Sequence, residues 1–244
     1  DIEPSGVDTP VLAALDAVFL ATPELVPAES WAKLRRFVDS GGVLIVSPAE
    51  SAGVQLWTDA FTRAFDLDWQ IAREATDLGD QGEALSKEVP PDSLLAFLEV
   101  RNELVPLLDP VRVERALPVT GASDSDVMLR LADGSAWILT ATPGEEAQSE
   151  SNAGESARRP ATSRGMVVYF ASAPVLSWTD LPARPLMVPL IAELVRQGVG
   201  RAGTSTMSVA GVPAFVGPAA SQIVSIDDAS RAYRVQNGLV SEPV

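Results

Sequence analysis

The chain has 244 residues, with 33 Asp and Glu against 18 Lys and Arg and a formal net charge of -15. That balance argues against binding a nucleic-acid backbone or an anionic membrane surface, both of which call for clustered Lys and Arg. It contains no cysteine and no histidine, which excludes disulfides, thiolate nucleophiles and Cys-ligated zinc, and removes the commonest neutral-pH base and transition-metal ligand.

The length suffices to bury a sizeable core, as one large domain or a medium domain with a small one. No run of about 18 apolar residues is present, the length a membrane-spanning helix needs. The opening at Asp1 and the stop at Val244 read as a soluble piece of a longer protein.

Ala17 to Ala21 (AVFLA) is a short apolar run of the kind buried on both faces of a parallel sheet. Pro27 suits a helix start, and Glu29 places negative charge in its first turn. Trp31, Leu34, Phe37 and Val38 then form one apolar stripe, and Gly41 is placed to end the helix in the left-handed conformation. Val43 to Val46 (VLIV) is a second buried strand, so a βαβ unit is expected here.

Helical spacing continues from Val54 to Leu67 through Val54, Trp57, Phe61, Ala64 and Phe65. Residues 68–90 are polar and carry no periodic signal, whereas Ser93 to Leu108 is leucine-dense and predicted helical until Pro106 disturbs it. Val111 to Leu117 alternates like a strand. DVMLRLADGSAWILTAT predicts a hairpin turning at Asp133-Gly134.

Residues 143–164, poor in hydrophobics and rich in Ser, Glu, Ala and Gly, are expected to be a mobile insertion in a hairpin. Met166 to Ala171 returns as a buried strand. After the proline-rich loop holding Trp178 and Asp180, a helix is predicted from about Pro185 to Gln197, ended by Gly198 and Gly200. Beyond Ala202, short β-branched segments broken by Gly and Pro predict a β-rich module.

The junction "L..FV..GG.L" within DAVFLATPELVPAESWAKLRRFVDSGGVLIVSP, followed by "S.W.DLP..P.MVPL" and a β-rich continuation, resembles a known family. It is similar to the class I glutamine amidotransferase-like domain carried by large bacterial membrane proteins of the BatA or aerotolerance type. The likeness covers roughly residues 10–200. It implies a flavodoxin-like α/β frame on the extracytoplasmic face of a bacterial membrane, anchored through segments outside this chain. True amidotransferases carry a catalytic Cys in the strand-to-helix turn and bring in a His and a Glu. Here the corresponding turn reads Ser47-Pro48-Ala49 and histidine is missing throughout. No catalytic residue can therefore be carried over.

Other chemistry fares little better on the residues. Ser47 would need a base, and the only lysines are Lys33 and Lys87. Pro48 also removes an N–H where an oxyanion hole wants a donor. Asp124 with Asp126, and Asp227 with Asp228, could help bind Ca²⁺, but neither pair has the spacing of an EF-hand loop. Gly41-Gly42 precedes its strand, unlike a phosphate-binding loop. Arg35-Arg36 and Arg158-Arg159 are isolated doublets. Trp178 is read either as a lid over the sheet edge or as an interface anchor, with Asp180 capping the backbone that follows.

The fold class expected is α/β: a three-layer, mostly parallel sheet, flavodoxin-like or class I glutamine amidotransferase-like, over residues 1–202. A small β-rich segment follows over 203–244. The function expected is a non-catalytic interaction or scaffold domain, partnered by other domains of the same protein or by a protein partner, with no cofactor, metal or nucleic acid. Two alternatives are a small-molecule or sugar-binding module at the carboxyl ends of the strands and, behind it, a carboxylate-dependent hydrolase. Candidate binding residues are Ser47, Glu50, Trp178 and Asp180.

Overall fold

The computed structural model describes residues 9–51, 53–79, 81–88, 104–143 and 165–202, with strands at 222–224, 232–236 and 239–243. The chain opens with a short helix α1 (Thr9–Leu12), strand β1 (Ala17–Leu20), a 3₁₀ turn (Pro23–Leu25), helix α2 (Ala28–Asp39) and strand β2 (Val43–Val46). β1 and β2 pair in parallel, from Ala17 opposite Val43 to Leu20 opposite Val46, so the βαβ unit forms.

Its helix buries Trp31, Leu34, Phe37 and Val38, the stripe the spacing marks out. It ends on Gly41 at a φ of 113°, with Gly41 N–H donating to the Val38 carbonyl and Gly42 N–H to that of Phe37. That pair of bonds closes the orphan carbonyls of the last turn.

Helix α3 (Thr58–Phe65) follows, then strands β3 (Gln70–Ile71), β4 (Thr76–Asp77) and β5 (Glu83–Ala84). Next come helix α4 (Leu104–Leu108) and strands β6 (Arg112–Val113), β7 (Arg115–Ala116) and β8 (Val119–Thr120). The strand expected over 111–117 is broken into β6 and β7, with β8 just beyond it, and the polar stretch after residue 68 pairs with these in two-residue steps: β3 with β8, β4 with β7 and β5 with β6, all antiparallel. Strands this short leave no periodic trace in the sequence.

The main sheet is completed by β9 (Val127–Arg130), β10 (Ala136–Ala141) and β11 (Met166–Phe170), in the order β1-β2-β11-β10-β9. The β1–β2 and β2–β11 pairings are parallel, while β10 runs against both its neighbours, β11 and β9, so the sheet is mixed rather than mostly parallel. The reason is the hairpin at Asp133-Gly134, which delivers two adjacent strands without a crossover helix. β2 and β11 are buried at every residue, while β1 is an edge strand with Phe19 41% exposed, against the doubly buried reading of AVFLA.

Helix α5 (Met187–Ala202) runs past Gly198 and Gly200 instead of stopping there. Gly198 is buried, and a Cβ on it would lie 2.2 Å from Val43 Cγ2 and 3.2 Å from Met166 Cε, so it lets the helix press on the sheet. Tyr169 points to the opposite face by strand alternation, where it meets Trp57, Phe61 and Trp69. A helical layer therefore covers each face.

Three smaller expectations shift. α3 begins only at Thr58, leaving Val54 49% exposed, because Gln55 turns the chain and its carbonyl accepts the Thr58 hydroxyl. Pro106 lies inside α4, whose last turn still closes from Asp109 N–H to the Val105 carbonyl. The upstream part of that predicted helix, the 144–164 part of the insertion, Arg158-Arg159 and Asp227-Asp228 lie outside the described residues.

The chain divides into two compact units, Asp1–Val199 and Gly200–Val244. The second contains a three-stranded antiparallel sheet of β12 (Gln222–Val224), β13 (Ala232–Gln236) and β14 (Leu239–Pro243). Among the described residues no helix is long and apolar enough to cross a membrane.

Candidate functional site

Because β1, β2 and β11 are adjacent and parallel, the loops after Leu20, Val46 and Phe170 lie side by side at one end of the sheet. This is the end at which open α/β sheets usually hold ligands. The sequence-predicted residues sit in or beside these loops.

Ser47, Pro48 and Ala49 are all buried. The Ser47 N–H extends the ladder by donating to the Leu20 carbonyl at 3.1 Å, and its hydroxyl has no hydrogen-bond partner among the described residues. A nucleophile needs a base to take its proton and an approach for substrate; among the described residues this buried hydroxyl has no base bonded to it. The turn is sealed from above by Gln55, which sequence reasoning missed. Gln55 is 1% exposed; its side-chain amide donates to the Ala49 carbonyl at 3.1 Å and accepts from Trp57 Nε1 at 2.6 Å. No spacing rule would single out a glutamine between Val54 and Leu56.

Glu50 is exposed and accepts a hydrogen bond from the Ser177 hydroxyl at 2.6 Å, which ties the β2 loop to the β11 loop. Trp178, one residue on, is 1% exposed and so belongs to the interior. Its carbonyl accepts from the backbone N–H groups of Glu114 and Arg115, and the Arg115 guanidinium lies 4.9 Å from its ring centroid. Asp180 does not cap the turn that follows; Thr179 does, its hydroxyl accepting from Leu181 N–H. Asp180 instead accepts from Arg112 N–H at 2.7 Å through one oxygen and from Arg184 Nε at 2.8 Å through the other. That hydrogen bond holds the Arg184 guanidinium above its ordinary value.

Glu50 and Trp178 are thus brought into neighbouring positions through Ser177, whereas Ser47 and Asp180 share no partner. The cations here are engaged too, Arg115 with Asp77 at 2.8 Å and Arg184 with Asp180. No group of three or more metal-ligating side chains occurs among the described residues. Asp124 pairs with Arg130, and Asp126 accepts from Trp69 Nε1 at 3.0 Å.

No family model and no curated protein matches this chain.

Open grooves lie elsewhere. One of about 940 Å³ is lined by residues 84–88, Asp109, Asp124 and part of the β9–β10 turn, and is spanned by the Lys87–Asp109 and Arg130–Asp124 ion pairs. Another of about 320 Å³ runs along α3 to β3. Neither is lined by Ser47, Glu50, Trp178 or Asp180. What the three loops do present is aliphatic surface: Leu25 is 60%, Leu56 71% and Leu176 65% exposed. The signal in the sequence was a leucine in each loop after a parallel strand, at positions where turns are ordinarily polar.

Proposed function

We propose that this chain is a non-catalytic interaction domain, an α/β frame of the flavodoxin-like, class I glutamine amidotransferase-like kind that binds protein and not substrate. The observation that carries this reading is the sealed turn after Val46, where Ser47, Pro48 and Ala49 are buried and Gln55 bonds across them. Exposed leucines in the same loops add to it, since an apolar surface next to a filled crevice suits a partner better than a small polar ligand. The resemblance to BatA-type proteins supports placing the domain on the extracytoplasmic face of a bacterial membrane, within a larger anchored protein.

The test is turnover. The purified chain is offered chromogenic amide, ester, phosphate and glycoside substrates beside Ser47→Ala and Glu50→Gln. No turnover above buffer is expected from any of the three. Turnover by the wild type that either substitution abolishes overturns the reading. Ser47→Ala is also expected to keep or raise the thermal midpoint, because it removes a buried hydroxyl without a partner.

A further inference from the structure

We infer that the carboxyl end of the parallel strands is a docking surface for a basic, amphipathic segment of another protein. The inference rests on the interaction-domain reading and gives it a surface and a partner chemistry.

Among the described residues, nine large apolar side chains are exposed, and five of them share this end: Leu25, Val54, Leu56, Leu176 and Val188. The first four lie in the loops after β1, β2 and β11. Val188 joins them because α5 runs back along the sheet. Gly198 lies beside Val43 and Met166, the first residues of β2 and β11, and ten residues of helix span about 15 Å. The helix start is therefore at the far end of the strands. Scattered exposed aliphatics are ordinary, but a set gathered at one end marks a contact surface.

Charge decides what kind of partner. The same loops and the first turn of α2 carry Glu24, Glu29 and Glu50, all exposed and none in an ion pair among the described residues. The one Arg in these loops, Arg184, is engaged by Asp180. An aliphatic surface rimmed by unneutralised carboxylates favours a segment with apolar residues on one face and Lys or Arg on the other. A second copy of this chain would set the same carboxylates against each other, and an anionic membrane would meet a chain of net charge -15.

The experiment uses the full chain and fluorescence anisotropy of three labelled peptides. One is built of Leu and Lys at helical spacing, the second is its scramble, and the third replaces every Lys with Glu. The patterned Leu/Lys peptide is expected to bind, more weakly as salt rises. The scramble and the Leu/Glu peptide are expected to bind at least about tenfold more weakly. The double substitution Leu56→Ser with Leu176→Ser should weaken the patterned peptide about tenfold or more, while Val105→Ser, exposed on α4 outside the three loops, leaves it unchanged. Undiminished binding to the double variant, equal binding of the scramble or the Leu/Glu peptide, or no binding at all overturns the inference. Those failures would leave the interaction-domain reading standing, since only turnover in the substrate panel removes that.

Discussion

Tyr169 shows how a single atom can sit against its surroundings. It is fully buried in β11 among Trp57, Phe61 and Trp69, and its hydroxyl has no hydrogen-bond partner among the described residues. Leaving a buried donor unpaired costs about 1–3 kcal/mol, so Tyr169→Phe is expected to stabilise the protein by roughly 1–2 kcal/mol in urea denaturation. Burial also pushes the phenol well above its ordinary value of 10.0. The folded state therefore holds a proton that the unfolded state releases from about pH 10 upward. Stability is fully present below that pH and falls as pH rises toward the folded value, and Tyr169→Phe should remove this part of the alkaline loss. A variant that is less stable at neutral pH, or equally alkali-sensitive, would show that the hydroxyl has a partner. Ser47 and Trp178 follow the same logic at the sheet's end: each is buried with a polar side-chain atom that has no hydrogen-bond partner among the described residues. Packing and not chemistry fixes them.

At the scale of elements, Gly198 sets two rules in opposition. Glycine inside a helix costs about 1 kcal/mol against alanine, so propensity alone says Gly198→Ala should stabilise α5. The new Cβ would fall 2.2 Å from Val43 Cγ2, however, and Val43 is fully buried in a strand paired on both sides. Overpacking of this kind costs about 1–3 kcal/mol or more, and the clash should win. Gly198→Ala is predicted to lower the urea midpoint, with an unchanged or higher midpoint showing that the helix can back away. The same residue explains a misreading, since in sequence a glycine near the end of an apolar stripe looks like a terminator. β2, β11 and α2 were legible because a buried run or a full stripe of Trp31, Leu34, Phe37 and Val38 leaves a long signal. The β3–β8, β4–β7 and β5–β6 pairings were not, because a strand of two residues has no period to detect.

For the whole molecule, the frame was readable and the state of its site was not. The sequence places Ser47 in the turn after Val46 and Trp178 in the proline-rich loop that follows a later strand, and it is the strand order that sets those two loops side by side. That the turn is closed depends on Gln55 reaching the Ala49 carbonyl, a tertiary contact with no local pattern. The mixed direction of the sheet likewise depends on which strand the hairpin joins. The division into Asp1–Val199 and Gly200–Val244 carries its own prediction. All five tryptophans, at 31, 57, 69, 137 and 178, lie in the first unit, and the aromatic cluster around Tyr169 is complete within it. Because α5 continues to Ala202 across the boundary, a cut after Ala202 spares its last turn while a cut before Gly200 does not. The chain 1–202 should therefore unfold in one cooperative step, with a tryptophan-fluorescence midpoint within about 3 °C of the full chain. A midpoint lower by about 10 °C or more, or loss of the cooperative step, would mean that residues 203–244 help hold the first unit together.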